Sequence, residues 1–155
     1  MKPSIAAGAV ATLAALALTG CSYVNPITTK DNYAASDGVQ AVTGEIEALN
    51  LLIIAEGADQ PATLIGTLYN SSAEDIEVQI SFDGATNTTV TVPARGDSRL
   101  GPDGDATEVA GTATVMPGLI APTVLVTQEE GPITAQVPVM DGTLPEYQAV
   151  IDAIG

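Results

Sequence analysis

The sequence of 155 residues contains no histidine and no tryptophan, and it has a single cysteine and a single phenylalanine. Without histidine, and with one thiol, neither a histidine-dependent triad nor a Cys–His nucleophile pair can be assembled. A carboxylate pair can support glycoside hydrolysis, but aromatic side chains that would stack on a sugar are almost absent. No glycine-rich cofactor loop on a βαβ unit is present either. The sequence therefore predicts a chain that is not an enzyme and that binds no cofactor.

Basic residues are also scarce. Four Lys and Arg residues stand against 19 Asp and Glu residues, which gives a formal net charge of −15. A surface this acidic repels phosphate backbones and anionic lipid headgroups. We therefore expect no nucleic-acid partner. The charge is explained most simply by solubility, and binding of cations or of a basic partner is the functional alternative.

The first 21 residues have the three parts of a bacterial export signal. Lys2 supplies a positive charge, and residues 5–18 form an almost unbroken run of Ala, Val, Leu and Gly. This run is shorter than the roughly 20 apolar residues that span a bilayer, and its length is typical of a signal peptide. Leu18-Thr19-Gly20-Cys21 fits the pattern of small residues before the modified cysteine of bacterial lipoproteins. We predict cleavage between Gly20 and Cys21, and lipidation of Cys21.

Two other interpretations of this segment are a plain signal peptide with a chance cysteine and a buried apolar helix. The lipoprotein hypothesis places the processed protein at the extracytoplasmic face of the cell membrane, held there by its acyl chains. Each buried CH₂ contributes about 0.8 kcal/mol, and one chain alone anchors weakly. A lipoprotein cysteine carries at least two chains, so we expect the attachment to be durable. Cys21 is the only cysteine, so no intramolecular disulfide is possible.

Beyond the cysteine, the pattern divides the chain into three parts. Residues 22–37 are polar and lack periodicity, which is typical of a tether. Residues 38–142 alternate with period two in short runs separated by turns, as β-strands do. The clearest of these runs is 76–82, whereas 51–55 is continuously apolar, as a central strand covered on both faces would be. Residues 143–155 have apolar side chains at helical spacing and predict a C-terminal helix.

Seven or more short strands at this spacing favour an all-β antiparallel β-sandwich, with a closed barrel as the second possibility. Asp83-Gly84 predicts a hairpin turn. Pro138 lies in the last predicted strand and indicates a position at the edge of a sheet. Thr143 and Glu146 form a capping-box pattern at the start of the predicted helix.

Two segments carry a resemblance to a known group of proteins. Gly44 is followed by Asn50-Leu51-Leu52-Ile53, and residues 64–71 read LIGTLYNS. Together they resemble small actinobacterial lipoproteins grouped near the periplasmic copper chaperones of the PCu(A)C type, with the similarity running over residues 38–139. The resemblance implies an immunoglobulin- or cupredoxin-like sandwich on the outer face of a Gram-positive membrane. The chaperones bind Cu(I) through His and Met residues, and no ligand of that set can be carried over to a chain without histidine.

Two sets of residues remain as weak metal candidates, and we predict no metal at either. Met116 and Met140 are the methionines left after processing, and thioethers suit Cu(I); the alternative is that they fill gaps in packing. The second set could offer oxygen ligands to Ca²⁺ from a glycine-rich loop. Its spacing does not match an EF-hand, and the alternative is that these carboxylates are simply solvated. The members of this set are Asp97, Asp103, Asp105 and Glu108.

The segment Arg95-Gly96-Asp97-Ser98 contains the tripeptide that integrins recognise. Three-residue motifs arise often by chance, and the neighbouring glycines account for this one as a loop. We therefore predict a membrane-anchored, non-enzymatic lipoprotein whose sandwich domain binds a protein or another component of the cell envelope. The alternative is a metal-handling lipoprotein, related to the copper chaperones, with a degenerate site.

Overall fold

The computed structural model describes residues 36–82 and 85–154. The predicted signal, the lipidated Cys21, nearly all of the predicted tether and the Asp83-Gly84 hairpin lie outside the described residues. Within them, no helix combines the length and the apolar character needed to cross a bilayer.

Nine strands and one helix follow one another in the described ranges. In chain order they are β1 (Val39–Thr43), β2 (Ile46–Ala55), β3 (Pro61–Asn70), β4 (Ile76–Phe82), β5 (Thr88–Val92), β6 (Asp97–Leu100), β7 (Ala110–Thr112), β8 (Ile120–Thr127), β9 (Gly131–Met140) and α1 (Pro145–Ile154).

The strands form two layers, with β1, β2, β3, β6 and β7 in one and β4, β5, β8 and β9 in the other. The layers are joined where β9 runs parallel to β2, at Val139 beside Ile53. Every other pairing between these strands is antiparallel. On the opposite side, the Ser98 hydroxyl donates to the Thr91 carbonyl at 2.9 Å and links β6 to β5. The result is a nearly closed β-sandwich with a short C-terminal helix, as predicted.

The apolar run 51–55 is covered on both faces, which confirms its prediction. Leu51 and Ile53 belong to the main core between the layers. Leu52 and Ile54 point the other way and pack against α1, where they meet Tyr147 and two further helical residues, Val150 and Ile151. Because successive side chains of a strand alternate between faces, a segment sandwiched between sheet and helix has to be apolar throughout.

The helix begins at Pro145, two residues after the predicted N-cap Thr143. Proline suits the first helical position because its fixed φ matches the helix and its missing N–H would be unpaired there. Thr143 lies in the turn before the helix, where its N–H donates to the Asp141 carboxylate at 3.0 Å. Hydrogen bonds from the Thr143 side chain and backbone hold the pKa of Asp141 below its usual value.

One contact ties the helix to the start of the domain. The Tyr147 hydroxyl donates to the Asp37 carboxylate at 3.0 Å. Burial, together with this hydrogen bond and the charge of Asp37, raises the pKa of Tyr147 above its ordinary value. A raised pKa keeps the Tyr147 hydroxyl protonated, and so a hydrogen-bond donor, throughout the neutral range.

Three local expectations differ from the structure. The alternation across residues 42–48 is interrupted by a turn at Gly44, which has φ 55°, so Val42 is 63% exposed while Thr43 is buried. The glycine-rich segment expected to be a loop, which carries the candidate calcium ligands, contains the short strand β6 at its start. The prediction that Pro138 lies at the edge of a sheet was wrong, because β9 lies between β8 and β2. Proline has no N–H to donate, and the hydrogen bond to the Leu119 carbonyl comes from the next residue, Val139.

The buried hydroxyl of Thr123 gives a first testable prediction. Thr123 is fully buried on β8, and its hydroxyl has no hydrogen-bond partner. Since an unpaired buried polar group is unfavourable, Thr123→Val is expected to raise the free energy of unfolding by about 1 kcal/mol in urea denaturation. The control is Thr63→Val, because Thr63 is equally buried but donates to the Val109 carbonyl at 3.3 Å. If both substitutions raised the free energy of unfolding equally, the unpaired hydroxyl of Thr123 would not be the cause.

Candidate functional site

The parallel course of β2 and β9 gives the sandwich two distinct ends. The strands begin at Ile46 and Gly131, and they finish at Ala55 and Met140. We call the end at which they begin the acidic end and the end at which they finish the methionine end. Each set of loops belongs to one of these two ends, so the candidate residues can be located by end.

Both candidate copper ligands lie at the methionine end, but in different surroundings. Met116 stands in the loop before β8 and is 56% exposed, and its sulfur accepts the Ala58 N–H at 3.5 Å. Met140 is half-buried and packs against the cluster beneath α1. Met140 therefore has the surroundings of a packing residue, whereas more than half of the Met116 residue surface is exposed to solvent.

Two large apolar side chains follow Met116 on the same surface. Leu119 is 53% exposed and Ile120 is 58% exposed. This segment is held in place because the Val139 N–H donates to the Leu119 carbonyl at 2.9 Å and the Gly118 N–H donates to the Val139 carbonyl at 2.8 Å. Its exposure was not predicted from the sequence, although a Pro-Gly turn followed at once by two bulky apolar residues is visible there.

The candidate calcium ligands are divided between a strand and a loop. Asp97 opens β6 opposite Tyr69, while Asp103, Asp105 and Glu108 lie in the loop after β6. All four are exposed. In the part of the chain that the structure describes, no group of three or more His, Cys, Asp or Glu residues could hold a metal ion.

The tripeptide at 95–97 forms the tight connection between β5 and β6. Arg95 has φ 52°, and its N–H donates to the Ser72 carbonyl at 3.0 Å. The Gly96 N–H donates to the Pro93 carbonyl at 3.1 Å. Backbone turn geometry thus accounts for this motif.

At the acidic end the structure forms an open cleft of about 790 Å³ that the sequence did not indicate. Its walls are the β1–β2 turn, the β3–β4 connection and the β8–β9 turn. Six carboxylates line it, and neither lysine nor arginine does. They are Glu45, Glu74, Asp75, Glu77, Glu129 and Glu130.

Hydrogen bonds and close packing fix part of this lining. The Ser71 hydroxyl donates to the Glu45 carboxylate, and the Ser71 N–H donates to the Glu45 carbonyl at 2.9 Å. Asp75 accepts the Ala94 N–H at 2.8 Å. The side chain of Glu130 packs on Gly44, where a Cβ would lie only 2.9 Å from its Cγ. Glu45, Asp75 and Glu130 are therefore held at the opening by neighbours that carry no positive charge.

Comparison with known proteins identifies the fold. No protein-family model and no curated protein matches the chain. Among solved structures, the apo PCuAC domain from PmoF1 superposes with a TM-score of 0.52 at 13% identity, covering 66% of this chain and 98% of that domain. The copper-bound PCuAC domain from PmoF2 has a TM-score of 0.48 at 15% identity, covering 66% of this chain and 97% of that domain. The apo PCuAC domain from PmoF2 has a TM-score of 0.49 at 16% identity, covering 68% of this chain and 97% of that domain. The chain has a PCuAC-like β fold.

Proposed function

We propose that this chain is a lipid-anchored, extracytoplasmic protein that handles copper, with the Met116 thioether as its own ligand for Cu(I). The observation that carries the proposal is an exposed thioether at one end of a PCuAC-like sandwich. The PmoF1 domain of that fold is matched over 98% of its length. The anchor rests on the signal pattern that ends at Cys21.

The chemistry of the site favours transient contact with copper rather than storage. Soft thioethers select Cu(I) over the hard cations. The Met116 sulfur accepts the Ala58 N–H at 3.5 Å, and the residue is 56% exposed. The chain has no histidine to add a nitrogen ligand, and we propose that ligands of another molecule complete the coordination. A site of this kind passes an ion on more readily than it retains one.

The test compares two methionines of the same chain. We expect purified protein to bind Cu(I) weakly in competition with a chelator, and Met116→Leu to weaken that binding by about tenfold, since it removes the soft donor. Met140→Leu is the control, because leucine and methionine have similar volumes and this change is tolerated in packed sites. Circular dichroism verifies that both variants are folded. Wild-type protein without affinity for Cu(I), or Met116→Leu that binds as the wild type does, would refute the proposal.

A second candidate function is binding of an envelope protein or another envelope component without any metal. The exposed segment Met116 to Ile120 favours it, since adjacent large apolar side chains on a surface often mark an interaction site. Crosslinking in intact cells followed by pull-down distinguishes the two. Capture of one partner that is lost in Ile120→Lys, with Cu(I) binding absent, would favour this candidate.

A further inference from the structure

We propose that two copies of this chain pair through the outer face of the layer formed by β4, β5, β8 and β9. This face consists of every second residue over 120–126 of β8 and 132–138 of β9, together with 79 and 81 of β4 and 89 and 91 of β5. We call it the neutral face. The copper proposal rests on Met116, which lies outside the neutral face, so either proposal can fail without the other.

Strand register brings these side chains into one surface. Val124 of β8 lies between Ser81 of β4 and Thr134 of β9, and Pro122 is paired with Gln136. The residues that alternate with them belong to the main core, so the members of the neutral face lie on the opposite side of the layer. The helix α1 packs on β2 and β3 of the other layer. Pro122, Thr134 and Gln136 are accordingly exposed.

The neutral face lacks the charge that dominates the rest of the chain. The sequence has 19 acidic residues. Among the outward side chains of these four strands, within the described ranges, only Glu77 is charged, and it lies at the margin beside the acidic cleft. A basic partner would find no carboxylates at the centre of this face, and anionic lipids or polymers would find no lysine or arginine.

These properties favour a second copy as the partner. A surface that complements the neutral face has to be uncharged itself, and the same face of another copy is such a surface. Two chains with a formal net charge of −15 repel each other. They can approach closely only through a region that is almost free of carboxylates, and the neutral face is one.

The side chains of the neutral face are mostly stiff. Three of them are prolines, Pro122, Pro132 and Pro138, which lose no side-chain freedom when they are buried. The valines and threonines are branched at Cβ, which restricts χ1. Ordering a flexible side chain at an interface costs about 0.5–1.5 kcal/mol. Gln79 and Gln136 are the long polar side chains of the face, so little of this cost arises on pairing.

The area of the neutral face suits a weak dimer. Four strands about 4.8 Å apart and about seven residues long project onto roughly 450 Å², and the accessible surface of their side chains is larger. Two copies would therefore bury about 1,000 Å² in total, which is at the low end for specific interfaces. Face-to-face stacking is a common way for sheets to pack. Because both copies use the same surface, the assembly closes as a two-fold dimer.

Sedimentation equilibrium of the full chain tests the proposal, in a nonionic detergent whose density the solvent matches, so that protein mass alone is measured. We expect the wild type to shift from monomer to dimer as its concentration rises. Gln79→Glu with Gln136→Glu places two carboxylates on the neutral face of each copy with little change of shape. This face pair is expected to weaken the dimer by about tenfold or more, because like charges then meet across the interface.

The matched control is Gln40→Glu with Gln60→Glu, which makes the same change at exposed side chains of β1 and of the β2–β3 turn. We expect it to leave the dimer unchanged, and Met116→Leu likewise. Circular dichroism verifies folding, and Thr89→Glu with Thr134→Glu replaces the face pair if that protein does not fold.

Three outcomes would overturn the proposal. The first is a wild-type chain that stays monomeric at every concentration. The second is a control pair that weakens the dimer as much as the face pair does. The third is a monomeric wild type that sediments with purified cell walls or with vesicles of bacterial lipid while the face pair does not, since the neutral face would then serve that component instead of a second copy.

Discussion

Replacement of Gly66 by alanine is expected to lower the free energy of unfolding by about 2–4 kcal/mol, from backbone strain and overpacking together. Gly66 lies in the middle of β3 with φ 151°, a backbone conformation that residues other than glycine rarely adopt. A Cβ there would lie 2.9 Å from the Leu51 side chain and 3.0 Å from the Leu49 carbonyl. The second of these contacts is with backbone, which cannot rotate away as a side chain can.

The glycine is needed because β2 carries a bulge at this point. Leu49 pairs with Thr67, but the next pair in register is Leu52 with Ile65. The extra residue, Asn50, has φ 52°, and its side chain accepts the Gly38 N–H at 3.0 Å. Bulges accommodate an additional residue by bending the strand, and here the Leu49 and Asn50 carbonyl oxygens lie 3.0 and 3.2 Å from the position of a Cβ at Gly66.

Urea denaturation measures the effect, and Gly57→Ala is the matched control. Gly57 lies in the β2–β3 turn, where a Cβ would meet only the Gln60 side chain at an ordinary 3.7 Å. The same chemical change there is expected to leave stability equal or slightly higher, because alanine restricts the unfolded chain. A Gly66→Ala protein with the denaturation midpoint of the wild type would show that the bulge adapts at no cost.

Substitution Cys21→Ser is expected to abolish the processed, acylated form of the protein. The hydroxyl of serine cannot replace the thiol that receives the lipid, and with no other cysteine in the chain no second site is available. At about 0.8 kcal/mol per buried CH₂, loss of the acyl chains removes the attachment itself. We expect either unprocessed precursor or protein released to the medium.

Labelling of cells with a radioactive fatty acid, followed by membrane fractionation and a gel that resolves precursor from processed protein, checks this expectation. Ser22→Ala, one residue further on, is the control and should remain labelled and bound. A Cys21→Ser protein that is processed and retained in the membrane to the wild-type extent would exclude lipidation at this residue.

The anchor and the metal candidates illustrate how much of the function can be argued from residue types. The absence of histidine is enough to exclude a histidine ligand for any metal in this chain. Residue types do not decide which of the two methionines is open to solvent. Met140 is covered because β9 delivers it beneath α1, and Met116 is exposed because its loop is not covered by any described element.

The acidic cleft could not have been predicted from local patterns. Its carboxylates come from three segments, 43–46, 72–77 and 127–130, which look like separate polar turns in the sequence. They share one opening because the β1–β2 turn, the β3–β4 connection and the β8–β9 turn lie together at one end of the sandwich. Residues so far apart along the chain come together only through strand order and register. Short-range sequence periodicity specifies neither of these.

The sequence by itself determined the local features that the structure confirms: the alternating strands, the run 51–55 with two covered faces and the C-terminal helix. Each follows from steric and solvation preferences that act over a few residues. The signal ending at Cys21 stays a prediction. Only the tertiary structure decided the parallel joining of β2 and β9, the need for Gly66 opposite a bulge, and the separation of the methionine end from the acidic end. These depend on which strands pair, because the free energy of pairing comes from contacts between distant segments and not from any segment alone.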